Sequence, residues 1–194
     1  MQRTEPLEES MNHLPLTTYE NASPEVKKEY DYWTQRSGRI TNMKRLMLQD
    51  PPTYKVFMTW YDLYERLVEL VGERAANLYC YAISTANHCL LCSTFFRQIF
   101  VDAGESPEAF TLDETEQLLY DLGSAIATDP NHIPTDVYER LELRFNTQEL
   151  VLIYGFGAQM VATNYFNMIS RVAVDDVLEP YMTPEFLAQV VSEG

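Results

Sequence analysis

Two of the chain's three cysteines form the motif Cys89-Leu90-Leu91-Cys92. Thiols three residues apart share one face of a helix, and in a first turn the backbone can adjust enough for two sulfurs to bond. Asn87-His88 reads as a corner, which places Cys89 in the first turn of the helix that follows. Unpaired backbone N–H groups and the helix dipole there favour a thiolate over a thiol. A thiolate attacks a peroxide or a disulfide, and a second thiol captures the resulting sulfenic acid or mixed disulfide. The pair therefore has a mechanical reason to cycle between dithiol and disulfide. The plainer reading is a pair of packed small hydrophobes.

His88, next to the motif, is a third candidate catalytic residue: it could move a proton or raise the thiolate fraction when charged. It could equally be a corner histidine bonded to the backbone. Zinc needs two more ligands at sensible spacing. Cys80 sits in an apolar run and reads as a core thiol, so neither a metal nor a cofactor is expected. His13 and His132 look incidental, and no nucleophilic triad, phosphate loop or dinucleotide glycine pattern occurs.

The elements that must position these thiols read as helices throughout. Ser23-Pro24-Glu25 starts one that runs to about Gln35 and stops near Gly38. A short one covers Asn42 to Leu48. After the break at Asp50-Pro51-Pro52, apolar positions from Val56 to Leu70 recur at helical spacing, predicting one helix over 53–71. Further helices are expected over 75–86 and 89–101. Thr111 with Glu114 forms a capping box for a helix reaching about Ile126. Helices over 135–145 and from Asn146 to about Val172 follow, with a last short one from Thr183. No stretch alternates convincingly as a strand. The expectation is an all-α protein of eight or nine helices, with a loose arm over 1–22 and one helical domain over 23–194. Within it, the apolar segment Leu150 to Val161 is either the centre of the core or the main oligomer contact.

The net charge of −15, from 14 basic and 29 acidic residues, disfavours nucleic acid and anionic membrane surfaces as partners. The longest apolar stretch, 150–162, is shorter than the roughly 20 residues a spanning helix takes. The N-terminus lacks a secretory pattern, so a cytoplasmic protein with resting thiols is expected.

The stretch from Tyr79 to Ser93, with a small polar corner before CxxC, resembles the core of the carboxymuconolactone decarboxylase / alkylhydroperoxidase D-like superfamily. Gly38 to Asn42 followed by Asp50-Pro51, the segment Thr111 to Leu119, and Asn146 to Asn167 resemble its further segments in the same order. The resemblance covers about 150 of the 194 residues. It implies an alkylhydroperoxidase D-like helical bundle that assembles as a homo-oligomer, a trimer or hexamer. It also implies reduction of hydroperoxides by the cysteine pair, with Cys92 attacking and Cys89 resolving, whereas the helix-start argument favours Cys89 as the more acidic thiol. Redox members usually carry a histidine four residues after the second cysteine and a glutamate about twelve before the first. Here those positions are Phe96 and Asn77. The decarboxylase branch, which handles an anionic lactone, is disfavoured because no basic or histidine cluster lies near the motif in sequence. Two functions are thus expected: a thiol oxidoreductase acting on a small peroxide or disulfide, or a non-catalytic helical oligomer that binds an apolar ligand or a partner protein.

Overall fold

The computed structural model describes residues 12–191, and all regular structure among them is helical. Ten α-helices follow in order: α1 (Pro24–Ser37), α2 (Asn42–Met47), α3 (Pro51–Met58), α4 (Trp60–Val71), α5 (Glu73–Ala86), α6 (Leu90–Asp102), α7 (Glu114–Thr128), α8 (Thr135–Arg144), α9 (Thr147–Ile169) and α10 (Pro184–Val190). A 3-10 helix over Asp176–Tyr181 precedes α10 and has no counterpart in the sequence reading.

Most starts are written in local chemistry. Ser23, Thr41, Asn146 and Thr183 each accept a backbone N–H of the helix they open, as residues of these types do at N-caps. Some boundaries differ from expectation. The span 53–71 is two helices: Asp50 caps α3, so Pro51 and Pro52 lie inside it, and the chain breaks again at Thr59. The Thr59 hydroxyl donates to the Val56 carbonyl at 2.6 Å, a local bond of the kind that competes with helix continuation. The capping box of α7 uses Asp113 and Glu116, two residues beyond the predicted pair. Both registers place an acid three residues after a capping residue. Asp113 holds the N–H groups of both Thr115 and Glu116, and Glu116 also pairs with Arg74 of α5.

Helix α5 is the hub. It packs along α7 and against α4, α6, α9 and α10, and every residue from Ala75 to Ser84 is buried. Close approach is enforced at two glycines. A Cβ at Gly123 of α7 would lie 2.9 Å from the Tyr79 carbonyl oxygen, and one at Gly157 of α9 would collide with the Tyr79 hydroxyl. Trp60 and Tyr64 stack on each other and lean on Phe156, so this aromatic cluster belongs to the core. A smaller core of Val26, Tyr30, Met47, Leu48 and Tyr54 joins α1, α2 and α3.

Residues 12–22 carry no helix but are tied to the body. Thr17 exchanges bonds with Arg45, Gln49 donates to the Pro15 carbonyl, and Asn12 accepts from the Ala173 N–H. The rest of the expected arm, 1–11, and the domain's last residues, 192–194, lie outside the described residues. Among those described, no helix is long and apolar enough to cross a membrane.

Candidate functional site

Helix α5 ends in a Schellman turn. The His88 N–H bonds to the Thr85 carbonyl and the Cys89 N–H to the Ser84 carbonyl, the pairing that closes a helix through a left-handed residue. His88 is that residue, at φ 57°, a conformation uncommon outside glycine. The turn delivers Cys89 in extended backbone as the N-cap of α6, one residue before the predicted first turn. Its sulfur accepts the Cys92 N–H at 3.3 Å. The two cysteines are joined as a disulfide with Cα atoms 5.3 Å apart, a usual separation.

Both sulfurs are buried, but their surroundings differ. Cys92 lines a mainly apolar cavity of about 80 Å³ between α2, α3, α4, α6 and α9, walled by Met43, Phe57, Trp60, Phe96 and Met160 among others. Cys89 and His88 are not among its lining residues. Asn167 of α9 reaches across to donate to the Cys92 sulfur at 3.2 Å and to the Met43 sulfur at 3.4 Å. Its own Oδ1 is buried without a hydrogen-bond partner in the protein, and so is the indole N–H of Trp60 on the same cavity. A hydroperoxide group both donates and accepts, so these two atoms match its needs.

The expected relay positions carry no base. Phe96 is part of the cavity wall, and Asn77 is buried with its Oδ1 accepting from the Tyr64 hydroxyl at 2.7 Å. The His88 ring is exposed, with Nδ1 2.9 Å from the Val190 carbonyl. That bond places the ring proton on Nδ1 and ties the corner to α10. Cys80 is fully buried in α5, and burial pushes its thiol well above the usual range. His132 pairs with Asp129 in its loop. Among the described residues, no three metal-ligating side chains converge.

One basic residue does reach the site, from another part of the chain. Lys44 of α2 lines the Cys92 cavity together with Tyr61 and Asp175. It is only 6% exposed. Its ammonium donates to the Tyr61 hydroxyl at 2.8 Å and lies 3.9 Å from the Trp33 ring centre. Burial lowers its pKa to about 8, against the opposing pull of Asp175. The only sequence signal was a lysine inside a short, otherwise Met- and Leu-containing helix. Asn167 stood in the quoted closing segment without a role, and nothing local distinguished Asp175.

No known family profile matches the sequence, and no curated protein matches it. Solved structures do. An uncharacterized peroxidase-related protein from Silicibacter sp. TM1040 superposes with a TM-score of 0.70 at 17% identity, covering 91% of this chain and 97% of that one. An uncharacterized peroxidase-related protein from Ralstonia eutropha JMP134, described as an alkylhydroperoxidase AhpD core, superposes with a TM-score of 0.63 at 14% identity, covering 94% and 98%. The fold is the alkylhydroperoxidase D-like helical fold.

Proposed function

We propose that this protein is a thiol peroxidase of the alkylhydroperoxidase type, with Cys92 as the attacking sulfur and Cys89 as the resolving one. One observation carries the choice: of the two cysteines, Cys92 faces the cavity, between Asn167 and Trp60. In the reduced pair the Cys92 thiolate attacks the distal oxygen of a hydroperoxide. An S–O bond forms, the O–O bond breaks, and the electron pair leaves as alkoxide. The Cys89 thiolate then attacks the sulfenic sulfur and hydroxide departs as the disulfide closes. The two thiol protons leave with the alkoxide and the hydroxide, so an alcohol, water and a disulfide result. An external dithiol returns the pair to the reduced form. The step needs no histidine or glutamate base, because the start of α6 supports the thiolates. His88 acts here as a positioning residue through its left-handed backbone and its bond to α10. The reductant requirement favours the cytosol as the compartment.

The working form is a homo-oligomer assembled through α9. Val151, Gly155, Ala158, Ala162, Tyr165 and Ile169 recur at alternating intervals of four and three, and all are exposed. An apolar stripe at that spacing is the seam of helices packed in a shallow supercoil, and small residues at its centre let backbones approach. A second copy of the chain supplies the matching stripe, as in the trimer or hexamer that the resemblance implies.

Thiol trapping after a stoichiometric dose of hydroperoxide tests the chemistry. Wild type is expected to convert to the disulfide. Cys89→Ser should stop at a sulfenic acid on Cys92 that a 1,3-dione traps, and Cys92→Ser should not react. His88→Gly, which suits the corner's φ, should retain the reaction. If both thiols of the folded protein stay reduced under peroxide, the pair is packing and the apolar-ligand reading takes its place.

A further inference from the structure

The Cys92 cavity has a neighbour. An open cleft of about 390 Å³ lies beside it, and Thr41, Lys44, Tyr61 and Phe95 line both. These four side chains are the partition between the buried sulfur and the surface. On the cleft side the partition is flanked by Arg39. Its Nη1 is buried without a hydrogen-bond partner, and among the described residues neither Arg39 nor Lys44 has a carboxylate within ion-pair distance.

Two cations with no ion-pair contact among the described residues line this one cleft. The nearby Arg36 is engaged by Glu65. The one acid on the cavity, Asp175, accepts the Asn42 N–H at 2.9 Å at the start of α2, and burial raises its pKa. A buried, unpaired cation is costly unless something of opposite charge meets it. Lys44 donates to a neutral phenol whose pKa is itself pushed up to about 12 by burial. Among the described residues Lys44 therefore has no carboxylate in ion-pair contact, and the Asp175 carboxylate acts on it only from a distance.

We infer that the Arg39–Lys44–Tyr61 cleft is the mouth of the Cys92 cavity and that it selects a substrate with an anionic, carboxylate-type head and an apolar arm carrying the reactive end. The two compartments divide the ligand. About 80 Å³ of apolar space beside Cys92 has room for a small organic group, since a single water takes about 10–15 Å³. The cleft holds the head, where the guanidinium and ammonium supply charge-assisted donors. The reactive end is a hydroperoxide if the thiol peroxidase reading holds, and the selection for the head rests on that reading only for its chemistry, not for its binding.

Calorimetric titration of the wild-type protein in its disulfide form with octanoate and with 1-octanol separates the two, because no peroxide is involved. Octanoate is expected to bind roughly tenfold more tightly or better. Lys44→Met and Arg39→Gln should each bring the ratio of the two affinities most of the way to one, and Lys44→Arg should restore it. Equal affinities for acid and alcohol overturn the inference. So does a preference that survives both charge-removing variants, or failure of wild type to bind either compound. Arg39 lies at the surface edge, so its variant keeps the test open if Lys44→Met does not fold. A preference for the acid in a protein whose thiols ignore every hydroperoxide upholds the anionic mouth and sinks the peroxidase reading.

Discussion

Helices α5 and α9 both carry long apolar runs, yet they are used differently. Helix α5 is enclosed by five neighbours, and its buried run includes Cys80 and Asn77. Helix α9 buries one face, with Ile153, Phe156, Met160 and Asn167 turned to the core and the cavity, and leaves an apolar stripe outside, where Val151 is 65% and Ile169 79% exposed. A helix that is hydrophobic all round must be covered all round. For α5 the chain supplies the cover. For α9 it supplies half, and the uncovered half is the face proposed above to meet a second copy. The same helix holds Asn167 against Cys92, so the exposed stripe and the site share one rigid element.

The comparison can be broken most directly on the outer face. Ala158→Glu with Ala162→Glu puts charge in the centre of the stripe, and the dissociation constant of the oligomer should rise by roughly a hundredfold or more, read by sedimentation. An assembly that survives this pair does not use the stripe. On the inner face, Gly157→Ala drives a methyl into Tyr79 and Ile126 and should cost about 1–3 kcal/mol in denaturant unfolding. Asn167→Ala removes the amide beside Cys92 and should slow oxidation by hydroperoxide about tenfold in stopped-flow, since one charge-assisted bond to the sulfur is lost. The smallest effect is the sharpest control. Gly155→Ala meets open space and should stabilise the protein by about 0.5–1 kcal/mol through helix propensity, measured in the dissociated Ala158→Glu/Ala162→Glu background. Opposite signs at two glycines two residues apart would confirm that α9 faces two different surroundings.

Legibility followed the range of the forces. The caps at Ser23, Asn146 and Thr183 were readable because an N-cap is a bond between residues two or three apart. The α7 start was misplaced for the same reason, since Thr111 and Asp113 offer the same local pattern and the Glu116–Arg74 pair across to α5 belongs to only one of them. The break at Thr59 was hidden because apolar spacing continues through it from Val56 to Leu70. The cysteine pair was visible from its spacing and its corner, although the Schellman turn moved Cys89 from first turn to N-cap.

What the sequence by itself determined is local: the all-helical character, most helix starts, and two thiols three residues apart at the head of a helix. These rest on bonds within one or two turns. Only the tertiary structure decided which sulfur faces the cavity, and that Asn167 lies 75 residues beyond Cys92 in sequence and 3.2 Å from its sulfur. It also decided that Lys44, some forty-five residues before the motif, stands at the cavity's wall with Arg39 in the cleft beside it, and which side of α9 remains uncovered. Those outcomes depend on how helices pack on one another, and packing brings together side chains whose separation along the chain carries no trace of their contact.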